Sequence, residues 1–203
     1  MFELPAHLPS ELVPLSWLIG VWEGSGVLDY TIGDESVTRE FGQRVSFSHD
    51  GLPHLNYSSY TWLEPAPGTD DEPTPLVTET GYWRLHRSQG AGDPGPGLLP
   101  GLGDRAFATA EEVETLRNAD GGFDVEVTLV HPGGVAELYL GQVKGPRIDL
   151  VTDAVLRTKG AKPYTGGTRL YGLVEKHLLW AWDIAALDQD LRTHASGRLS
   201  RAE

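Results

Sequence analysis

The 203-residue sequence contains no cysteine. That excludes disulfides, thiolate metal sites and a catalytic thiol, and it fits a reducing compartment. Cations are scarce, with 16 Lys and Arg against 29 Asp and Glu and a formal net charge of −13. Such a surface repels phosphate backbones and anionic lipid heads, so neither nucleic acid nor a membrane surface is expected as a partner. Nowhere does an apolar run reach the about 18 residues that a membrane-spanning helix needs. A charged segment followed by an apolar one, as in a secretory signal, is missing from the start. The expectation is a soluble cytoplasmic protein.

Turn formers and aromatics are what the chain has in quantity: 25 Gly, 14 Pro, 6 Trp and 7 Tyr. Together they suggest an all-β protein with many short strands. "PSELVPLSWLIG" (9–20) has helix-like spacing and reads as a short N-terminal helix or 3₁₀ turn that plugs something. After it the periodicity becomes two, in "RVSFSH", "HLNYSSYTWLE", "LVTETGYWRLHR", "FDVEVTLVH", "VAELYLGQV" and "RIDLVTD". "TRLYGLVEKHLLWAWDIAAL" (168–187) splits at Glu175-Lys176-His177 into a hairpin, and "RTHASGRLSR" (192–201) is the last strand. About ten antiparallel strands must hide their edges, so a single antiparallel up-and-down β-barrel is expected over residues 1–203. Segments 65–75 and 88–121, rich in Pro and Gly or lacking periodicity, read as mobile loops rather than as a second domain.

The stretch "GVWEGSG" (20–26) sets three glycines around one tryptophan. Period two puts Gly20, Trp22, Gly24 and Gly26 on one face, one ring among three residues without side chains. Glycine in a strand marks a bend or a close approach, so Trp22 is expected to close the barrel's bottom while the glycines let the strand curve. A phosphate loop is excluded, because the pattern is not the dinucleotide one and no helix follows.

"LIGVWEGSG" carries the GxWxGxG signature of the nitrobindin-like haem-binding β-barrels, which are similar in shape to fatty-acid-binding proteins and lipocalins. "ETGYWR" (79–84), "VTLVHPGGVAELYLG" (127–141), "TDAVLRT" (152–158), "RLYGLV" (169–174) and "WAWDIAAL" (180–187) resemble family stretches in the same order. The resemblance implies a ten-stranded barrel holding one ferric haem b per chain. It also implies binding of nitric oxide and isomerisation of peroxynitrite to nitrate, with no catalytic side chain beyond the haem iron. By the same resemblance, His194 in "QDLRTHASGRLSR" would be the axial ligand, Lys162 would meet the haem, and Thr31 in "DYTI" would sit at its edge. This chain departs from the family around these positions. Pro163 follows Lys162 and restricts it to extended conformations, and the residues after His194 are the small Ala195, Ser196 and Gly197.

The residues themselves leave alternatives open. Seven histidines are present, and periodicity alone does not single out His194. Lys159 and Arg157 could replace Lys162, and the Thr31 hydroxyl could instead make a local turn. Trp83, Trp180 and Trp182 read as packing, and Asp183 requires a partner, with Arg84 and Arg169 as candidates. The rival readings are a fatty-acid-binding-like carrier, using Arg84 or Arg169 with Tyr82 or Tyr171 for the ligand's carboxylate, and a haem-free barrel. A homodimer is left open.

Overall fold

The structure, a computed structural model, describes residues 7–32, 35–184 and 192–202. Its alternating apolar segments form ten strands: β1 (Gly20–Ile32), β2 (Glu35–Ser48), β3 (Leu55–Leu63), β4 (Thr74–Leu85), β5 (Phe123–His131), β6 (Val135–Lys144), β7 (Arg147–Arg157), β8 (Gly167–Val174), β9 (His177–Ile184) and β10 (Arg192–Arg201). Each strand pairs antiparallel with the next, and β10 returns to β1, so the sheet closes. The up-and-down barrel read from the sequence is therefore what forms, and closure removes every free edge. The split into β8 and β9 falls where expected: Glu175 and Lys176 are left-handed (φ 49° and 67°), the backbone of a two-residue hairpin turn.

One end of the barrel is stoppered. The N-terminal segment is a 3₁₀ helix (Ser10–Leu18) whose Leu12, Leu15 and Leu18 are fully buried. Trp22 is fully buried beside them, and its indole Nε1 donates to the Leu18 carbonyl at 2.7 Å. The signature glycines explain how β1 fits there. A Cβ on Gly24 would stand 2.3 Å from the Arg198 carbonyl oxygen, and one on Gly26 2.2 Å from that of Ser196, so both positions let β1 and β10 approach too closely for any side chain. Gly20 adopts φ +134°, and Arg201 fills the space beside it, its guanidinium 4.5 Å over the Trp22 ring.

The segment between β4 and β5, expected as a mobile loop, is tied to this stoppered end. Arg87 is buried and forms paired hydrogen bonds with Glu11 (2.6 and 3.1 Å) and with Asp93 (2.6 and 2.8 Å). Ser10 donates to the Ala108 carbonyl at 2.7 Å. A short helix α1 (Ala110–Glu114), capped by Thr109 and Glu112, buries Val113. The segment thus lies away from the opposite end, where the chain turns after β1, β3, β5, β7 and β9.

Candidate ligand cavity and its polar wall

Antiparallel order puts Thr31 near the end of β1, Lys162 in the connection from β7 to β8, and His194 near the start of β10, all at the open end of the barrel. Below that mouth is a cavity of about 340 Å³. Its walls come from β1 to β4 and β8 to β10 and include Leu28, Phe41, Val45, Leu63, Leu178 and Trp180. These positions share the inward face at period two, so the apolar half of each alternating strand builds the cavity.

His194 lines this cavity. Its imidazole stands between two aromatic rings, with Tyr30 at 6.0 Å and Trp182 at 6.1 Å between centroids. The next residue, Ala195, also lines the cavity and adds almost no bulk. Lys162 is exposed and does not line the cavity; its carbonyl accepts from Arg157 at 3.4 Å. The backbone of Thr31 pairs with Ser36, and its side chain lies outside the described residues. The cation that does line the mouth is Arg39, exposed and with no ion-pair partner among the described residues.

The other half of the barrel's interior is filled by a polar network. Arg169, buried on β8, donates through Nη1 and Nη2 to both carboxylate oxygens of Glu79 on β4, at 2.7 and 2.9 Å. Its Nε donates to the Tyr139 hydroxyl at 3.1 Å, and its guanidinium stands 4.1 Å over the Trp182 ring. Tyr57 donates to Glu79 at 2.6 Å. Behind this pair, Glu137 accepts from Tyr139 and Tyr164, each at 2.6 Å, and its other oxygen lies 2.7 Å from Nε2 of His131. Burial pushes the Glu79 carboxyl up, but the Arg169 charge and the hydrogen bonds from Arg169 and Tyr57 overcome it and hold it down to about 2. Glu137 is also lowered, its burial outweighed by His131 and Arg169. Tyr139 is pushed up to about 12, by burial first.

Two readings of the sequence need correcting here. Asp183 finds no partner in Arg84 or Arg169: Arg84 pairs with Glu126 at 2.7 Å, Arg169 is held by Glu79, and one Asp183 oxygen is without a hydrogen bond. Alternation explains it, since Asp183 follows the inward Trp182 and so faces outward, away from Arg169. Trp180 and Trp182, read as packing, line the cavity, whereas Trp83 is fully buried core. Of the four carboxylate-binding candidates, Arg169 and Tyr171 reach the cavity; Tyr82 is 55% exposed and Arg84 is bound to Glu126.

A single imidazole in an apolar slot, with small neighbours and a cation at the rim, suits a planar apolar macrocycle that brings its own metal and carries anionic groups at one edge. Among the described residues no group of three or more His, Asp or Glu side chains is placed to hold a metal ion, so side chains there offer one ligand, not a full set. The donor set therefore fits haem. Among the same residues no helix is long and apolar enough to cross a membrane.

Comparison with known proteins agrees with this geometry. Residues 11–201 match the family model described as a THAP4-like, heme-binding beta-barrel domain. A protein of Clavibacter michiganensis subsp. michiganensis named peroxynitrite isomerase is 73% identical over 203 residues, the full length of both chains. One of the same name from Leifsonia xyli subsp. xyli is 66% identical, again over both full lengths. The crystal structure of Rv2717c from M. tuberculosis is similar with a TM-score of 0.66 at 26% identity, covering 97% of this chain and 99% of that one.

Proposed function

The chain belongs to the family of THAP4-like haem-binding β-barrels, the nitrobindin family, and we propose that it binds one ferric haem b and isomerises peroxynitrite to nitrate. The observation that carries the proposal is His194, an imidazole presented by the wall of an apolar cavity at the open end of a closed barrel. The 73% and 66% identity to proteins named peroxynitrite isomerase supports the reaction.

In this reading His194 ligates the iron, with Tyr30 and Trp182 fixing the ring from two sides. Arg39, at the cavity's rim, pairs with a propionate, and Lys162 and Thr31 act at the same end. When bound, ferric haem supplies an open coordination site and the O–O cleavage that the rearrangement needs. Peroxynitrite and nitrate have the same atoms and the same charge, so the conversion requires no net proton from the chain. That matches an inner wall whose acids and bases are already paired, Glu79 with Arg169 and Glu137 with His131. The protein's part is to hold the ligand, shield it with Leu28, Phe41 and Trp180, and exclude water from the inner face. The same reading covers nitric oxide as a second small ligand and a cytoplasmic setting.

The test is a haemin titration of the purified chain followed by absorption, with His194→Ala alongside. A Soret shift that saturates near one haem per chain and is lost in the variant is the expected result. No shift, or one indifferent to the substitution, overturns the proposal.

A further inference from the structure

The inner wall of the cavity holds a guanidinium, a group that would ordinarily attract a carboxylate-headed lipid. Arg169 lines the cavity with Tyr57 and Tyr171, two hydroxyls suited to the same task. Four of its five N–H donors are already taken, however. Both Nη atoms are bound to Glu79, Nε is bound to Tyr139, and Tyr171 lies at 3.5 Å from Nη1. Glu137 stands 3.7 Å from Nη2 on the far side. Two carboxylates therefore face one guanidinium, with His131 as the remaining basic group, 3.7 Å from Glu79 and 2.7 Å from Glu137.

A third carboxylate entering here would lose its water, find only one N–H of Arg169, on Nη2, outside these hydrogen bonds, and meet both Glu79 and Glu137 at close range. In an enclosed setting like charges repel strongly and desolvation is not repaid. The other end of the cavity differs, because Arg39 lies at the exposed mouth.

We infer that Glu79 is the specificity-determining residue of the cavity: by occupying Arg169 it excludes ligands that carry a carboxylate at their inner end and admits those with an uncharged one. An apolar acid must then enter body first, with its charge toward Arg39. The inference concerns the inner wall and stands whichever apolar ligand is resident. On the haem reading above, the same exclusion directs the propionates to the mouth.

The experiment is calorimetric titration of the full chain, free of haem, with decanoate and with decanol at neutral pH, for the wild type, Arg39→Gln and Glu79→Gln. In the wild type decanoate binds with its charge at the mouth, so Arg39→Gln should weaken decanoate several-fold and leave decanol nearly unchanged. Glu79→Gln opens the inner end to the carboxylate and should improve decanoate binding about tenfold relative to decanol. Glutamine removes the charge, keeps one acceptor oxygen for Nη1 of Arg169 and for Tyr57, and puts an amide nitrogen where the other oxygen holds Nη2. A decanoate affinity indifferent to Arg39→Gln overturns the inference, as does an unchanged preference in Glu79→Gln or no binding of either ligand by the wild type. If Glu79→Gln does not fold, the Arg39 comparison decides alone. Haemin binding and its dependence on His194 are read separately, so failure here leaves the proposed function untouched.

Discussion

The imidazole of His194 meets the indole of Trp182 edge to face, with ring centroids 6.1 Å apart and planes at 88°. The same indole carries the Arg169 guanidinium at 4.1 Å. Trp182 thus links the proposed iron ligand to the polar network. Aromatic pairs of this geometry contribute about 0.5–1.5 kcal/mol beyond their buried area, enough to fix a ring but not enough to hold a barrel together.

Trp182→Leu should therefore leave the barrel folded and loosen His194. The expected outcome is haemin affinity lower by about tenfold, the equivalent of about 1.4 kcal/mol, with a shifted Soret maximum and an unchanged far-ultraviolet dichroism spectrum. Trp182→Phe, which keeps a ring beside the imidazole, should recover most of the loss. Equal affinity in wild type and Trp182→Leu would remove Trp182 from the positioning role.

The Glu79–Arg169 pair sets an acid limb to stability. The Glu79 carboxyl moves from an ordinary 4.5 to about 2 on folding. Its folded value is the lower, so protons bind the unfolded chain more readily. The stabilisation is complete above about pH 4.5 and is lost as pH falls toward 2; a shift of this size corresponds to on the order of 3 kcal/mol. Denaturant melts of the wild type from pH 6 to pH 2.5 should show that decline, and Glu79→Gln should be less stable at neutral pH with a shallower limb. Asp93, which the Arg87 hydrogen bonds hold down to about 2 against its burial, acts in the same window and leaves a residual slope in the variant.

How much of this was legible in the sequence follows from what each signal depends on. The barrel was legible because alternation and turn chemistry are local: the final strand "RTHASGRLSR" is β10, and the helix at 9–20 is the 3₁₀ plug. The polar wall was not anticipated, although part of it was written there. Glu79 shares its inward face with Trp83, Glu137 with Tyr139, and Arg169 with Tyr171, each a charged residue two or four places from a buried aromatic. Alternation says that such a charge points inward. It cannot say that three strands apart in sequence bring those charges together, because that depends on barrel closure. Arg39 went unnoticed for a similar reason: it is in phase with Phe41, Gln43 and Val45, but only its place at the rim makes it the cation of the mouth.

That place makes Arg39 testable. Arg39→Gln removes an exposed cation with no ion-pair partner among the described residues, so fold stability should change by less than about 0.5 kcal/mol. Haemin should dissociate several-fold faster from the variant, with a weaker dependence on salt than in the wild type, when transfer to an apo-acceptor is followed by absorption. Lys162→Gln in parallel separates the two cations: if only the lysine variant releases haemin faster, the propionate partner is Lys162.

The anchor of the 88–121 segment makes a prediction about the opposite end. Arg87 is buried between Glu11 and Asp93, so Arg87→Met leaves two buried carboxylates without their cation, a change that costs about 3–5 kcal/mol. The 3₁₀ plug and the segment should loosen together. Limited proteolysis should cut the variant between residues 94 and 104 before the barrel is attacked, while wild type resists. Because the segment lies away from the mouth, haemin affinity measured below the unfolding threshold should be unchanged.

The glycine signature can be tested one position at a time. A Cβ on Gly26 would stand 2.2 Å from the Ser196 carbonyl oxygen and 2.4 Å from the Phe41 ring, and neither can retreat freely: the first is strand backbone, the second is buried at the cavity wall. Gly26→Ala must push β10 away from β1 beside Ala195, the neighbour of His194. Overpacking of this kind costs about 1–3 kcal/mol, and here the displaced strand carries the proposed ligand. The variant should therefore lose haemin affinity as well as thermal stability. Gly133→Ala is the control, since a Cβ there meets nothing within 4 Å and the backbone is not left-handed; it should leave both quantities unchanged. A Gly26→Ala protein as stable as wild type would mean that β1 and β10 can part without cost, and that the signature does not act through strand approach.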